Sequence, residues 1–422
     1  IKDYLNLEFS KYEALYGIKP KETSRESVRL QVILDTAYQK TGKQVVVLID
    51  EYDSPLQHSW KTPEHKGCTE VYRSVFSVLK LKGNVLRFVF ITGITKFTQI
   101  SLFSVLNHLT NISFLPQFAP LCGITEEEMA VNFAPELEAL ADKMECSIEE
   151  AHDKLKTYYD GYHFSDENMT DIYNPFSLLN ALSQLRLRNY WISSGATSML
   201  NKFVNNMELR LHDFEDCYID KDTLETSDVI EGGAELFLYQ TGYLTIKGFD
   251  EDGYSLGFPN EEVRKALYKA VLPALTQKDI TDIVSIQSKL MHSLNNGNLE
   301  EAKKCMKSLI SNVPYSNKKL ASMDMEERYR LIISTILNAI GCKVEVEHML
   351  STGRIDIVAS TSRFIYVVEL KLTNNGGLEA AEKQIISNGY LKPFLADGRK
   401  VIGLAVELDD MGKGLIDWKE VK

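Results

Sequence analysis

The feature that most constrains the fold is an apolar run with an acid and a base at alternate positions near its end. Residues Phe364–Leu372 read FIYVVELKL, and the β-branched and aromatic side chains predict a strand. Side chains alternate along a strand, so Glu369 and Lys371 lie on one face. Placing such charges in an apolar sheet costs roughly several kcal/mol per ion unless they are paired or bound to metal. The fold must therefore supply partners for them.

The surrounding pattern predicts a helix over 325–340, strands over 343–348 and 354–358, and a helix near 378–388. Asp356 on the neighbouring strand can share the face that carries Glu369 and Lys371. Two carboxylates and an intervening backbone carbonyl would form an all-oxygen site for Mg²⁺ or Mn²⁺, and the lysine would orient a water for phosphodiester hydrolysis. The alternative is that Glu369 and Lys371 form an exposed ion pair on an edge strand, with Asp356 capping a turn.

These residues occur in a longer arrangement: Gly353-Arg-Ile-Asp356, twelve residues, Glu369-Leu-Lys371, and then Gln384 to Tyr390. It resembles the PD-(D/E)XK nuclease superfamily, specifically the nuclease-like domain that accompanies an AAA-ATPase-like module in many bacterial proteins. Gly353 and Arg354 stand where the motif's literal Pro-Asp would be.

The resemblance implies a restriction-endonuclease-like α/β domain in which Asp356 and Glu369 bind metal and Lys371 assists the water. It also implies that Glu327 on the first helix completes the site and that Gln384 supports it from the following helix. Glu326 is an alternative to Glu327, because the sequence does not fix the register of that helix.

A second pair of apolar runs lies near the start of the chain. Val45 to Ile49 and Phe88 to Ile91 are predicted strands, and Val71 to Leu81 between them has helical spacing. Strand, helix and strand in this order predict a parallel α/β sheet.

Acids follow the first of these strands, as they do in a Walker B strand. Asp50 would hold Mg²⁺ through water and Glu51 would polarise the attacking water, while Thr92 at the end of the next strand would lie near the γ-phosphate. The alternative is that the acids cap the next turn and Thr92 is an ordinary strand end.

A nucleotide site also needs a phosphate-binding loop. The nearest match, Ala37 to Gln44, lacks the first glycine and the final hydroxyl residue, and it precedes a strand where it should follow one. Several motifs nevertheless resemble the AAA-ATPase-like family, in which this loop lies upstream of the point where the present sequence starts: Leu48 to Pro55, Phe90 to Phe97, Tyr159 to Tyr162, Tyr173 to Phe176 and Leu256 to Val263. We therefore expect ATP to bind weakly or not at all to these 422 residues alone.

The chain is predicted to be a multidomain α/β protein. The predicted parts are a P-loop-type parallel α/β module without its P-loop (1–120), a helical lid (121–224), a winged-helix-like segment (225–275), a helical connector (276–312) and the nuclease-like domain (313–422). In the lid, aromatic residues such as Tyr159, Tyr173 and Phe176 are interpreted as packing rather than as a base-stacking surface. Glu261 and Glu262 at the start of the candidate recognition helix argue against DNA reading by the winged-helix-like segment.

Charge limits the choice of partners. The chain has 47 Lys plus Arg against 59 Asp plus Glu, a net charge of -12, which argues against a general polyanion binder. Residues 313–422 hold 15 bases and 15 acids, so DNA, the expected substrate, should be contacted locally there.

No apolar run approaches the roughly 18 residues of a membrane span, and we expect a cytoplasmic bacterial protein whose oligomeric state the sequence does not decide. The competing hypothesis is a non-catalytic nucleotide switch or nucleic-acid-binding protein with a degenerate nuclease domain.

Overall fold

A computed structural model describes most of the chain, in two compact units. The described residues are 1–19, 24–60, 62–95, 109–191, 200, 214–215, 217–226, 233–276, 280–311 and 324–421. The first unit comprises Ile1–Leu121, His163–Thr170 and Tyr218–Leu256, and the second comprises Cys122–Tyr162, Asp171–Cys217 and Gly257–Lys422. Parts of the predicted features at 96–97, 227–232 and 313–323 lie outside the described residues.

The first unit contains the predicted strand, helix and strand. Its helices are α1 (Lys2–Tyr16), α2 (Glu26–Thr41), α3 (Ser54–Ser59), α4 (His65–Leu81), and later α9 (Lys221–Thr226) and α10 (Gly233–Gln240). Strands β1 (Val45–Ile49) and β2 (Leu86–Ile91) pair in parallel, and the carboxyl end of each is followed by a polar segment.

The β1–β2 ribbon is unevenly covered. Helices α2 and α4 pack against each other, with Val71, Val75 and Leu79 of α4 buried. Val46 and Leu48 of β1, by contrast, are 52% and 70% exposed, and Phe88 of β2 is 54% exposed. Alternate apolar side chains of the ribbon therefore face outward without cover from the described part of the chain.

A three-stranded sheet completes the first unit, with the order β5 (Cys217–Asp220), β7 (Gly253–Gly257), β6 (Thr245–Phe249). Strands β6 and β7 are neighbours in this sheet and lie within the segment predicted to be winged-helix-like. The helix that follows, α11 (Glu261–Thr276), belongs to the second unit. The winged-helix interpretation of 225–275 is therefore not confirmed.

The second unit begins with a helical core. Its elements are β3 (Ile124–Thr125), α5 (Glu126–Asn132), α6 (Ala134–Met144), α7 (Ile148–Tyr159), β4 (Ile172–Tyr173) and α8 (Pro175–Gln184). Thr125 with Glu128 and Ser147 with Glu150 form capping boxes that fix the starts of α5 and α7. Tyr159 and Tyr173 are fully buried in this core, as the packing interpretation requires, whereas Phe176 is 47% exposed and does not fit it.

The C-terminal domain of this unit is a five-stranded sheet with helices. Its strand order is β12-β11-β10-β9-β8, and β10 and β11 are parallel while the other pairs are antiparallel. Strand β10 is thus central, which explains why Glu369 is buried and Lys371 only partly exposed. The elements are α12 (Ile280–Asn295), α13 (Leu299–Leu309), α14 (Met325–Ile340), β8 (Lys343–Leu350), β9 (Gly353–Ser360), β10 (Phe364–Leu372), α15 (Gly377–Ser387), β11 (Lys400–Leu408) and β12 (Leu415–Val421).

The predicted order of helix, three strands and helix is present in this domain. Within the described ranges, no helix combines the length and the apolar character that crossing a membrane requires.

Candidate functional site

Three acids form a row across neighbouring strands of the C-terminal sheet. The β8–β9 register pairs Val346 with Ile357 and His348 with Ile355, which leaves Glu347 opposite Asp356. The β9–β10 ladder ends at Ile357 and Val368, so Asp356 and Glu369 come next on their strands. The row Glu347, Asp356, Glu369 concentrates negative charge at one place in the sheet, where like charges repel unless cations intervene.

Asp356 is held by a helix and by the adjacent strand. Its Oδ1 accepts a hydrogen bond from Arg330 Nη1 at 3.0 Å, and its Oδ2 accepts one from the backbone N–H of Leu370 at 2.9 Å. The residue is 5% exposed. A buried carboxylate needs such partners, and these two fix the orientation of both oxygens.

Glu369 and Lys371 meet beside Asp356. Lys371 Nζ donates to Glu369 Oε1 at 3.0 Å and to the carbonyl oxygen of Leu370 at 2.9 Å, while Glu369 Oε2 is buried without a hydrogen-bond partner. Burial raises the pKa of Glu369, and Asp356 raises it further against the opposing effect of Lys371. Burial lowers the pKa of Lys371, but Glu369, Asp356 and Glu326 outweigh it and hold that pKa above its usual value.

Helix α14 brings a further carboxylate to the lysine. The helix starts at an Asp324 cap, whose side chain accepts from the N–H of Glu326. Glu326 Oε1 lies 3.5 Å from Lys371 Nζ, and burial raises the pKa of Glu326. Glu326 is one turn from Arg330, which holds Asp356. The geometry thus favours Glu326, the alternative, over the predicted Glu327, because a helix turns about 100° per residue and directs Glu327 to a different side.

The donor atoms at this site are of the chemical type that binds Mg²⁺ or Mn²⁺, although they do not form a ready-made metal-binding cluster. No group of three or more His, Cys, Asp and Glu side chains within the described part of the chain is arranged to hold a metal ion. The available donors are the carboxylates of Asp356 and Glu369 and the carbonyl oxygen of Leu370, all of them hard oxygen ligands. Glu369 Oε2, buried and without a partner, is the atom whose state a cation would best explain.

Gln384 lies on α15, the helix that follows β10, as the resemblance implies, and its contact there is with Tyr390. Its Nε2 donates to the hydroxyl of Tyr390 at 3.2 Å, and that hydroxyl donates to the carbonyl oxygen of Arg354 at 2.9 Å. Gly353 permits this approach, because a Cβ there would lie 2.7 Å from the Tyr390 oxygen. Gln384 therefore acts on the start of β9 through Tyr390.

Sequence reasoning missed Arg330 and Glu347. Arg330 Nη2 lies 2.9 Å from Glu347 Oε1, and the same oxygen lies 3.0 Å from Arg354 Nη1. Glu347 has a positive φ of 56°, a conformation that is rare for a residue with a Cβ. A base one helical turn after Glu326 is the signal that could have identified Arg330. The conformation of Glu347 has no counterpart in the sequence pattern.

The first unit places its predicted residues together at the carboxyl ends of β1 and β2. Thr92 donates its hydroxyl hydrogen bond to Asp50 Oδ1, which also accepts the N–H of Glu51 at 3.0 Å. Asp50 and Glu51 are exposed, and Glu51 has a positive φ of 51°. Asp50 and Thr92 thus meet, as the Walker B interpretation requires, in an open setting.

Asp53 is the more constrained acid of this segment, although the sequence did not single it out. Its carboxylate is 1% exposed and accepts from Thr95 N at 2.5 Å, Thr95 Oγ1 at 2.6 Å and Gln57 Nε2 at 2.5 Å. A Cβ at Gly93 would lie 2.5 Å from Asp53 Oδ1, which explains the glycine. Asp53 ties the loop after β1 to the loop after β2.

Comparison with known proteins agrees with both motif sets. Residues 1–103 match a family described as a predicted AAA-ATPase, and residues 324–418 match the PD-(D/E)XK nuclease superfamily. A relative from Azotobacter chroococcum mcd 1, named only as an uncharacterized protein in the vnfD 5′ region, is 28% identical over 405 residues, covering 94% of this chain and 75% of its own. No solved structure matches the chain. The chain carries an AAA-ATPase-like domain and a C-terminal PD-(D/E)XK superfamily domain.

Proposed function

We propose that the C-terminal domain is a Mg²⁺- or Mn²⁺-dependent phosphodiester hydrolase that acts on DNA. The observation that carries the proposal is the meeting of Asp356, Glu369 and Lys371 in the central sheet, with one carboxylate oxygen of Glu369 buried and without a partner. Such a costly arrangement has no evident structural use, since apolar residues in the same positions would pack without a desolvation penalty.

The roles follow from the contacts. Asp356, Glu369 and the Leu370 carbonyl would hold the cation, and Arg330 with the Leu370 N–H would keep the Asp356 carboxylate oriented. When bound, the cation would polarise the phosphoryl oxygens and lower the pKa of a bound water. The Nζ of Lys371 is paired with the carboxylates of Glu326 and Glu369. It would orient the attacking water and stabilise the negative charge that develops on the phosphate.

The experiment is metal-dependent nicking of supercoiled plasmid DNA by the purified 422-residue chain, with Mg²⁺, Mn²⁺ or EDTA. We expect nicking with either metal and none with EDTA. Lys371→Ala should reduce the rate by about 100-fold or more, as removal of one transition-state donor does, while Mn²⁺ affinity falls little. Lys413→Ala, an exposed lysine of the same domain, is the matched control and should nick like the wild type. A Lys371→Ala variant that retains the wild-type rate would refute the assigned role.

We also propose that the first unit is the acidic half of an ATP site. Asp50 and Thr92 are hydrogen-bonded at the carboxyl ends of two parallel strands, where nucleotides bind in such sheets. Asp50 would hold Mg²⁺ through water and Glu51 would polarise the attacking water. Backbone amides and a lysine that hold the phosphates are also required, so ATP should bind tightly only to a protein that contributes them. Calorimetric titration should detect weak or no ATP binding by the present chain. Tight binding would mean that another segment cradles the phosphates.

A further inference from the structure

Beside the row of acids lies a second row that is basic. Arg354 is two residues from Asp356 on β9, and Lys371 is two residues from Glu369 on β10, so each base shares a strand face with an acid of the site. Two residues along a strand span about 7 Å. Arg354 therefore lies one step along the sheet from the proposed cation position.

Arg354 is half exposed and anchored at one point. The side chain is 51% exposed, and its Nη1 lies 3.0 Å from Glu347 Oε1. Its backbone is fixed separately, because its carbonyl oxygen accepts from Tyr390 and that hydroxyl also receives Asn388 Nδ2 at 3.0 Å. A guanidinium has five N–H donors in a planar fork, so the contact with Glu347 orients the group and leaves donors facing solvent.

Glu347 is shared between two arginines and is held in an unusual conformation. Its Oε1 contacts both Arg354 Nη1 and Arg330 Nη2, and Arg330 in turn contacts Asp356. The positive φ of Glu347 is a strained conformation for a residue with a Cβ, and the surrounding contacts must hold it in place. The chain Arg354–Glu347–Arg330–Asp356 thus links a solvent-facing cation to the proposed metal ligand.

The charged side chains around the proposed cation position carry a net charge that favours binding of a polyanion only after a divalent cation has bound. Four carboxylates (Glu326, Glu347, Asp356, Glu369) lie with three bases (Arg330, Arg354, Lys371), a formal charge of -1 that a divalent cation changes to +1. Since the whole chain carries -12, a phosphate needs a local cation to approach. Arg354 is the base of this group with the most exposed side chain.

We propose that Arg354 contacts a backbone phosphate of the nucleic acid beside the scissile bond, with Glu347 as the residue that positions its guanidinium. Arginine binds phosphate through paired N–H donors, and a contact to the backbone orients a nucleic acid without reading its sequence. The proposal rests on the nuclease function proposed above, and it assigns to that function its nearest substrate contact.

The test measures binding without cleavage. Fluorescence anisotropy of a labelled DNA duplex, and of an RNA duplex of the same sequence, is recorded with Ca²⁺ on the Lys371→Ala background over a series of salt concentrations. Adding Arg354→Gln should weaken binding about 10-fold or more and reduce the slope of log affinity against log salt by about one unit, the amount expected for one lost phosphate contact. Arg363→Gln is the matched control. That arginine is exposed and follows β9, whose length of about 20 Å separates it from Arg354. It should leave both quantities unchanged.

The outcomes separate the two proposals. An unchanged salt slope in Arg354→Gln, with DNA bound by the parent, overturns the phosphate contact and leaves the nuclease proposal standing. A parent that binds Mn²⁺ but neither duplex overturns both. A slope change with RNA alone supports the contact and refutes DNA as the substrate. Glu347→Gln should weaken binding less than Arg354→Gln does and keep the wild-type slope, because the arginine remains. A larger loss than that of Arg354→Gln would assign Glu347 a structural role.

Discussion

The two acidic sites differ in how the protein compensates for their charge. At the end of β1, Asp50 and Glu51 are exposed, and Asp50 accepts hydrogen bonds from Thr92 and from the N–H of Glu51. In the C-terminal sheet, Asp356 and Glu369 are buried and are served by Arg330, Lys371 and backbone. An exposed carboxylate is solvated and needs few protein partners, whereas a buried carboxylate needs neighbouring residues that pair with its charge or donate hydrogen bonds to it. The C-terminal site therefore carries its own positioning groups, whereas Asp50 makes only two short contacts within the described residues.

The strongest test of this difference between the two sites is to substitute, one at a time, two adjacent glutamates of α14. If buried charge is compensated residue by residue, Glu326→Gln should lower the cleavage rate by about 10- to 100-fold, since Glu326 is the helix carboxylate that contacts Lys371. Glu327→Gln, the position that the family resemblance suggested, should cost less than about 3-fold.

Initial nicking rates and Mn²⁺ titrations of both variants measure this difference. Each variant is the control for the other, because the two residues are neighbours in one helical turn and undergo the same chemical change. Equal loss in both variants would mean that Glu327 also serves the site.

A second comparison concerns the acids of the first unit. Asp53→Ala should lower the local free energy of opening of the β1–β2 segment by about 2–4 kcal/mol, because it leaves the buried N–H and hydroxyl of Thr95 without their acceptor. Asp50→Ala should have a smaller effect, since its carboxylate is exposed.

Hydrogen exchange of the amides of β1 and β2 gives this opening free energy for the segment itself. It suits a chain of two units better than a global unfolding curve. If Asp50→Ala opens the segment as much as Asp53→Ala does, burial is not what distinguishes the two acids.

A third acid, Asp160, shows the effect of burial where the neighbouring cation lies beyond hydrogen-bonding distance. Asp160, after α7, is 1% exposed, neither of its carboxylate oxygens has a hydrogen-bond partner, and Lys156 Nζ is 3.9 Å away. Burial raises the pKa of Asp160 to about 6. A raised pKa means that the folded state binds the proton more tightly, so this residue contributes stability that is fully present below about pH 4 and is lost as the pH rises through about 6.

Asp160→Asn should therefore stabilise the second unit at pH 7.5 by about 1–3 kcal/mol. It should also remove the part of the stability that depends on pH between about 4 and 7. Thermal unfolding of wild type and variant across this range checks both expectations. Glu149→Gln, at an exposed position of α7, is the control. A variant that is less stable at pH 7.5 would show that the Asp160 carboxylate has a partner worth more than its desolvation.

The sequence predicted the candidate catalytic residues of the C-terminal site better than the residues that hold them in position. Glu369 and Lys371 were identifiable because charges at alternate positions of an apolar strand are costly, and Asp356 because a neighbouring strand carries it. Arg330 and Glu347 were missed because their roles depend on which side of α14 faces the sheet and on a local φ of 56° at Glu347. The winged-helix interpretation stays unconfirmed for a related reason: a local pattern does not show which elements belong together, and β6 and α11 belong to different units.

The smallest predicted effect tests whether Gln384 acts through Tyr390. The Tyr390 hydroxyl accepts hydrogen bonds from Gln384 and Asn388 and donates one to the Arg354 carbonyl oxygen. Tyr390→Phe therefore removes all three hydrogen bonds. We expect a loss of about 1–2 kcal/mol in domain stability and a 3- to 10-fold slower cleavage. Gln384→Ala should behave similarly. Because both changes break one path to β9, the double variant should be no slower than the worse single variant, whereas additive losses would place Gln384 directly on the metal or the water.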